Sequence, residues 1–309
     1  MSIVAAAPRR SSARLSWAFI NPESLAGYAL AAPGFLLLVM LFFLPVLAVF
    51  VIAATDWQFG AKTLSFVGLK NFVVLFSDPT FRTSFFNTVV YVGLVVPSTV
   101  TAGLLLALVI ERSHSLRTFY RAVHFLPYMA TLTAMAIAWE ALLDPTIGLA
   151  NQVLASVGYP AVNWLRNENT VLPVLAVIGI WQNLGFAMVL YMAGLKAIPQ
   201  DLYDAADVDG ADSFFDRFTT VTLPMLGPVT MFVVIVTALR AFQVFDTVKV
   251  LTQGGPGDVS EVLLYTLYVE SFEFLRTGYG AAMTLVFLAI IVTLTLLQAA
   301  IVDRRVHYS

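Results

Sequence analysis

Residues 29–54 read ALAAPGFLLLVMLFFLPVLAVFVIAA, a stretch of 26 residues without a charged side chain. A membrane-spanning helix needs about 20 consecutive, mostly apolar residues, so this stretch can cross a bilayer with some tilt. It is too long for the apolar core of a cleavable signal, and it runs into Asp56-Trp57 without a clear small-x-small cleavage site. We therefore predict that it is a retained first membrane helix.

Five more apolar segments of similar length follow along the chain, at 87–110, 119–141, 171–195, 226–250 and 280–302. In hydrocarbon, only helices and closed barrels satisfy every backbone hydrogen-bonding group, and these segments are too long and continuous for barrel strands. The sequence predicts an all-α, polytopic membrane protein with about six transmembrane helices. Its transmembrane domain covers 29–302, between a cytoplasmic segment 1–28 and a cytoplasmic tail 303–309.

The composition agrees with a membrane protein and excludes several functional classes. Hydrophobic residue types make up 59% of the 309 residues and charged types only 12%, whereas soluble domains carry roughly 25% charged residues. A net charge of −2 does not favour a nucleic-acid partner. The chain has no cysteine, which excludes disulfides, thiolate metal sites and cysteine nucleophiles.

Basic residues predict how the chain is oriented in the membrane. Arg9, Arg10 and Arg14 precede the first predicted helix, and Arg304-Arg305 follows the last. Because Lys and Arg concentrate on the cytoplasmic side of membrane helices, we expect a cell (inner or plasma) membrane protein with both termini cytoplasmic. The outer loops are then 55–86, 142–170 and 251–279, which could meet an extracytoplasmic partner or pack over the helix ends.

The inner loop 196–225 has more local structure than a simple connector. Pro199 and Asp201 favour the start of a short helix, because proline suits the first turn and an acidic side chain suits the positive end of the helix dipole. Asp209-Gly210 is expected to end that helix, since glycine readily adopts a left-handed C-cap. A second short helix is expected over roughly Asp212–Thr220. The segment is predicted to form a helical hairpin on the cytoplasmic face.

This loop resembles the "EAA" loop of permease subunits from binding-protein-dependent ABC importers. The matching residues are Asp204-Ala205-Ala206, Gly210-Ala211 and Val221-Thr222-Leu223-Pro224. Two positions depart from the family pattern, because Asp204 replaces Glu and Val221 replaces Ile. The resemblance implies a type I importer fold and a coupling helix that sits in a groove of an ATP-binding subunit. The residues that it assigns to this coupling role are Asp204, Ala205, Ala206, Asp209, Gly210, Ala211, Leu223 and Pro224.

A second stretch, from Phe245 to Gly257 with Glu261 and Tyr268 beyond it, is similar to the carbohydrate-uptake branch of the same family. That branch includes permease subunits for maltose, lactose, trehalose and glycerol-3-phosphate. From the residues alone, Gly254-Gly255-Pro256-Gly257 is a tight turn at the membrane surface. It is not a phosphate cradle, because no strand precedes it and no Lys-Ser or Lys-Thr follows it.

The resemblance also implies a set of partners and a division of labour. It implies a second permease subunit that forms a heterodimer with this chain, two ATP-binding subunits and an extracytoplasmic solute-binding protein, all working at the lipid bilayer. The chain has no G-x-x-x-x-G-K-S/T motif, so we expect no cofactor bound by this chain, with ATP and Mg on the partner ATPase. We also expect no catalytic residues and no metal site.

Polar residues within the predicted spans are candidates for the substrate pathway, because polar groups are costly in a membrane. Arg240 lies within the fifth span with Gln243 and Asp246 close after it, and the fourth span contains Trp181-Gln182-Asn183. Amide and guanidinium donors beside an aromatic ring suit a sugar, and Arg240 would also suit a phosphate group. Equally, Arg240 could pair with Asp246, the amides could bond between helices, and the binding residues could lie in the partner permease.

The sequence leaves the cargo open among sugars, glycerol-3-phosphate and related polyols. The alternative function is an ion-coupled secondary transporter, a class that often contains inverted repeats and paired broken helices. A membrane enzyme is a third possibility. We find no convincing internal repeat, no chain of buried carboxylates and no catalytic cluster in the sequence, so the importer permease is the favoured interpretation.

Overall fold

The structure is a computed structural model that describes residues 22–112 and 117–305. Most of the predicted cytoplasmic segment 1–28, part of the first inner loop and the end of the tail lie outside the described residues. The described chain is helical, and its only β pairing is an isolated bridge between Thr55 and Phe66. The all-α prediction is therefore confirmed.

The chain divides into two units, Met1–Val49 and Phe50–Ser309. Within the first unit, helix α1 covers Pro22–Leu38, a π-helical turn covers Val39–Phe43, and α2 begins at Leu44 and ends at Ala53 in the second unit. Together they contain the apolar span Leu25–Ala53. This span agrees with the prediction of a membrane helix at 29–54.

The second unit contains thirteen further helices in the described residues: α3 Lys70–Ser77, α4 Pro79–Arg112, α5 Arg117–Met129, α6 Leu132–Leu142, α7 Leu149–Ser156, α8 Val171–Ala197, α9 Gln200–Val208, α10 Phe214–Arg217, α11 Leu223–Met225, α12 Gly227–Phe242, α13 Asp246–Leu251, α14 Leu263–Tyr268 and α15 Thr277–Arg305. Two π-helical turns, Phe218–Thr222 and Val269–Glu273, follow α10 and α14. By length and composition, α4, α8, α12–α13 and α15 can each cross a membrane.

The predicted third span, 119–141, is not one continuous helix. Its two helical parts, Arg117–Met129 and Thr133–Leu142, are bent by 104°. Pro127 lies just before the break, where it removes a rung of the hydrogen-bond ladder, and Thr131 has an extended backbone. The described chain therefore has five long apolar spans, or six if this bent pair counts as one.

The predicted fifth span, 226–250, is also interrupted. The α-helix ends at Phe242, and helix α13 begins at Asp246. The amide of Gln243 bonds back to the carbonyls of Leu239 and Arg240, at 3.2 and 3.1 Å, which closes the end of α12. Irregular backbone at membrane depth is tolerated where it is buried in protein or lines a cavity.

Helix α8 is the centre of the second unit, because α4, α5 and α12 all pack against it. The close approach depends on small residues. A Cβ added to Gly103 of α4 would lie 2.7 Å from the Cβ of Ala187, and one added to Gly185 of α8 would lie 1.9 Å from the carbonyl oxygen of His124. Small residues let membrane helices approach closely enough for dispersion contacts to hold them together.

Candidate functional site

The loop between α8 and α12 forms the helical hairpin that the sequence predicts, and we call residues 198–225 the coupling hairpin after the role that the family resemblance implies for it. Pro199 immediately precedes α9, which carries Asp201 in its first turn. The second helix is shorter than expected, since α10 covers only Phe214–Arg217 and a π-helical turn continues to Thr222. Ser213 starts α10 by accepting a hydrogen bond from the amide of Asp216 at 3.1 Å, an N-terminal cap that delays the helix past Asp212.

The turn of the hairpin is a Schellman motif centred on Gly210. Asp209 ends α9, and Gly210 adopts the left-handed conformation with φ +89°. The amide of Gly210 bonds to the carbonyl of Asp207 at 3.2 Å, and that of Ala211 bonds to the carbonyl of Ala206 at 2.9 Å. These two bonds satisfy carbonyls that the end of a helix leaves unpaired. A local sequence signal therefore determines where the chain reverses.

Two side-chain contacts that the sequence did not predict stabilise the hairpin. The Arg217 guanidinium lies 2.7 Å from the carboxylate of Asp207, and the hydroxyls of Tyr203 and Thr222 are 3.0 Å apart. Each contact joins α9 to the segment after the turn. The only available signal was charge and hydroxyl composition, because neither pair lies at helical spacing.

The predicted coupling residues divide into exposed and structural positions. Asp204, Ala205, Leu223 and Pro224 are exposed, Ala206 is half-buried, and Ala211 is buried. Val208, at the end of α9, has 87% of its surface exposed. The hairpin therefore presents an aliphatic side chain at its tip. The segment after the turn is held by the two side-chain contacts and contains the buried residues Ala211 and Val221.

A second candidate site is a cavity of about 330 Å³ between α4, α8 and the break that separates α12 from α13. We call it the polar cavity. Its lining residues are Tyr91, Gln182, Asn183, Arg240, Ala241, Gln243, Val244, Phe245, Asp246 and Thr247. Five of the six residues predicted for the substrate pathway are therefore in one place.

Trp181, the sixth predicted residue, is not part of this lining. Its indole ring packs edge-on against Trp139, with 5.5 Å between the ring centroids. The aromatic surfaces at the cavity come instead from Tyr91 and Phe245. Adjacent residues on a helix point about 100° apart, so Trp181 and Gln182 need not face the same side.

Asn183 offers a free acceptor in the polar cavity. Its amide nitrogen donates to the carbonyl of Gly179 at 2.8 Å, while its Oδ1 atom is buried without a hydrogen-bond partner. An unpaired buried acceptor is costly, and this atom is covered by protein, so a hydroxyl can bond it only when the wall of the cavity moves.

Arg240 stacks on aromatic rings rather than pairing with Asp246. Its guanidinium carbon lies 4.3 Å from the ring centroid of Tyr128 and 5.9 Å from that of Phe186. Among the residues that the structure describes, Arg240 forms no ion pair. The cation–π contact leaves its N–H donors available to an anion or a hydroxyl.

The segment after α13 forms a turn at Gly254 to Gly257, as the sequence predicts. Gly254 and Gly257 have positive φ angles of +85° and +53°. The side-chain amide of Asn87 donates to the carbonyls of Asp258 and Glu261, at 3.0 and 2.9 Å, and so connects this turn to α4.

Glu261 is a buried carboxylic acid beside this turn. Burial raises the pKa of the Glu261 carboxyl to about 7, although a hydrogen bond from Thr266 opposes the shift.

Comparison with known protein families identifies the fold's evolutionary relatives. Residues 76–308 match the family described as "Binding-protein-dependent transport system inner membrane component". The chain belongs to this family. It is therefore a membrane permease component of an importer that works with a binding protein, and the alternative of an ion-coupled secondary transporter is set aside.

Individual relatives cover nearly the whole chain. The probable ABC transporter permease protein YurN of Bacillus subtilis is 32% identical, over 90% of this chain and 96% of its own length. The sn-glycerol-3-phosphate transport system permease protein UgpA of Agrobacterium fabrum is 31% identical, over 94% and 98%. The fold is similar to a chain of a bacterial alginate ABC transporter crystallised with an alginate pentasaccharide-bound periplasmic protein, with a TM-score of 0.80, 22% identity, and coverage of 91% and 95%.

Proposed function

We propose that this permease carries a sugar, or a related polyol or glycerol phosphate, across the membrane in an ATP-driven importer. Its partners are a second permease subunit, two ATP-binding subunits that hold ATP and Mg, and an extracytoplasmic solute-binding protein. The observation that carries this proposal is the coupling hairpin, a rigid element with an exposed tip at one end of the central helix α8. The named relatives, which include a glycerol-3-phosphate permease, support the class of cargo.

The proposed mechanism connects the two candidate sites through α8. This helix has 27 residues, about 40 Å at a rise of 1.5 Å per residue, and it carries Gln182 and Asn183 in its middle and the coupling hairpin beyond its C-terminal end. Closure of the ATP-binding subunits pushes on the hairpin. Because the hairpin is attached to the C-terminal end of α8, the displacement is transmitted to that helix. The helices then alternate between outward-open and inward-open arrangements around the polar cavity, a coupling of two sites through a bistable element.

The polar cavity has chemistry that suits a hydroxyl-rich solute. Gln182 and Gln243 can bond hydroxyls, while Tyr91 and Phe245 offer apolar ring faces. A cavity of about 330 Å³ is at the lower end of the usual range for small-molecule sites. Arg240 adds a positive charge that would favour an anionic cargo.

The coupling role is tested by replacing Gly210 in the importer reconstituted with its partner subunits in proteoliposomes. We expect Gly210→Pro to abolish solute uptake and solute-stimulated ATP hydrolysis, because proline cannot adopt φ +89° and lacks the amide that closes the turn. Gly210→Asn should retain much of the activity, since asparagine tolerates the left-handed conformation.

The matched control is Gly227→Ala, because an added Cβ at Gly227 meets no atom within 4 Å and its φ is ordinary. This variant should transport normally. Wild-type uptake by Gly210→Pro, in an importer that still assembles, would contradict the coupling role.

A further inference from the structure

The loop between α6 and α8 carries a short amphipathic helix, α7, whose apolar side faces outward. We call Leu149, Val153 and Val157 the apolar stripe; they are spaced four residues apart, and their exposed fractions are 57%, 58% and 65%. We propose that α7 lies in the interface between the lipid headgroups and the acyl chains, with the apolar stripe immersed in the bilayer. This proposal requires only that the chain is a membrane protein, and it is independent of the cargo and of the ATP-binding partners.

Hydrogen bonds within the loop fix the direction in which the apolar stripe faces. The carboxylate of Asp144 accepts hydrogen bonds from the amides of Thr146 and Ile147, at 2.8 and 2.9 Å, which fixes the approach to α7. Buried Asn151, on the inner face of α7, exchanges two hydrogen bonds with the backbone of Val162, at 2.9 and 3.0 Å. These bonds hold the helix in one rotation about its axis, so the outward direction of the stripe is determined by the structure.

The helix has a distinct polar side. At 100° per residue, Ser156, Gln152 and Ala155 follow one another around the helix on one side of the apolar stripe, from Ser156 beside Leu149 to Ala155 farthest from it, and all three are exposed. Asn151 and the half-buried Ala150 and Leu154 form the side that packs on the protein. The exposed surface of α7 is therefore divided lengthwise into an apolar half and a polar or small-residue half, the arrangement found in helices that lie flat on a membrane.

The charge distribution favours lipid as the partner of this surface. Between Asp144 and Arg166 there are 21 residues, 145–165, without a charged side chain. A surface that docks another protein reversibly is, taken as a whole, no more apolar than the rest of a protein's surface. A loop this long without charge, with Ile147 and Tyr159 also 74% and 66% exposed, suits the bilayer interface better than a reversible protein contact.

The position of the loop in the fold agrees with a place at the membrane surface. It is attached to apolar helices at both ends, since α6 ends at Leu142 and the membrane span α8 begins at Val171. It lies at the opposite end of α8 from the coupling hairpin. Trp164, which donates its indole N–H to the side chain of Asn151 at 3.2 Å, and Tyr159 are residue types that concentrate at membrane interfaces.

Single-cysteine spin labelling tests the proposal without background from this chain, because it has no native cysteine, and the partner subunits are used with their cysteines replaced. The variants Val153→Cys and Ala155→Cys are made in the full chain, within its importer complex, and placed in nanodiscs of phosphatidylethanolamine and phosphatidylglycerol. Both positions are exposed and both changes are small, while the two side chains point about 200° apart around the helix. The measured quantity is the accessibility of each nitroxide to molecular oxygen, which enriches in lipid, and to a water-soluble nickel chelate.

We expect the label at position 153 to be accessible to oxygen and protected from nickel, with the opposite order at position 155. Equal and high nickel accessibility at both positions would show a solvated stripe and overturn the proposal. Protection of position 153 from both reagents would show that protein covers the stripe, and would also overturn it. If Val153→Cys does not assemble, Leu149→Cys on the same stripe gives the same measurement with the same outcomes.

Discussion

At the scale of single residues, Glu261 is the described carboxylate outside the spans with the clearest consequence for stability. It is 8% exposed, and burial raises its pKa from 4.5 to about 7, with Asp258, Glu270 and Asp78 adding repulsion. A raised carboxyl pKa stabilises the fold only while the group is protonated, so this contribution is fully present below pH 4.5 and is lost as pH rises through 7. Above that window, the fold bears the cost of a buried anion.

We therefore expect Glu261→Gln to raise the melting temperature of the purified protein at about pH 8, where the wild-type carboxyl is ionised. The difference between the two proteins should shrink as pH falls through the window from about 7 to 4.5. Thermal unfolding in detergent across this pH range measures it. A constant difference at every pH would show that the carboxyl does not titrate in the fold.

Arg240 allows the charge of the cargo to be determined. Its guanidinium lines the polar cavity and stacks on Tyr128 without an ion pair. A hydrogen bond to a charged group contributes roughly 1.5–3 kcal/mol, so Arg240→Ala should reduce the apparent affinity for an anionic cargo by about 10- to 100-fold. Uptake of a neutral sugar should fall much less.

The measurement is uptake by the reconstituted importer with glycerol 3-phosphate and with maltose as the two probes. Arg240→Lys serves as the control, because it keeps the charge and loses the planar donor set. Unchanged kinetics of Arg240→Ala with glycerol 3-phosphate, in an importer that transports this probe, would exclude the side chain from binding an anionic cargo.

At the scale of elements, the close contact of α8 with α5 depends on glycine at position 185, which has no side chain. A Cβ on Gly185 would approach the carbonyl oxygen of His124 to 1.9 Å, and backbone cannot yield as a flexible side chain can. We expect Gly185→Ala to force the two helices apart and to destabilise the protein by about 1–3 kcal/mol, the usual cost of overpacking.

Gly93→Ala in α4 is the matched control, because an added Cβ there meets nothing within 4 Å and alanine favours a helix. Thermal stability in the same detergent should fall for Gly185→Ala and remain unchanged or rise for Gly93→Ala. Equal stability of Gly185→Ala and the wild type would mean that α5 does not pack against α8 as described.

The break between α12 and α13 lies at the polar cavity. The interruption between α12 and α13 places Gln243, Phe245 and Asp246 in one lining with Arg240, which a continuous helix would spread around its circumference. Tyr128, near the end of α5 and before the bend of 104°, lies under the guanidinium of Arg240. The break in the fifth span therefore forms one wall of the polar cavity.

At the scale of the whole molecule, the tip of the coupling hairpin should be covered when the importer assembles. Val208 is 87% exposed, and a cysteine there would be the only thiol in the chain. We expect Val208→Cys to react readily with a maleimide in the purified chain and to be protected in the complex with its ATP-binding subunits. Lys62→Cys, on the predicted outer loop, should react equally in both preparations, and equal reactivity of Val208→Cys in both would argue against docking at the hairpin.

Much of the architecture could be predicted from the sequence, because it depends on local properties. Long apolar runs require helices in a membrane, and the Asp209-Gly210 pair predicts the end of α9 from its own backbone preferences. The predicted helices at 29–54, 171–195 and 280–302 lie at the positions of α1–α2, α8 and α15. Hydropathy does not reveal a helix break, which explains why the interruptions of the third and fifth spans were missed.

The sequence by itself determined that this chain is a bundle of membrane helices with a helical hairpin before α12, since hydropathy and glycine conformation act over a few residues. Only the tertiary structure decided that Gln182 and Asn183 meet Arg240 and Asp246 across one cavity while the neighbouring Trp181 packs against Trp139. It also decided that Arg217 braces the hairpin through Asp207. The reason is physical: the cavity and the tryptophan contact join different helices and exist only once helix packing has set the distance and rotation of each element, while the Arg217–Asp207 pair depends on how the hairpin closes.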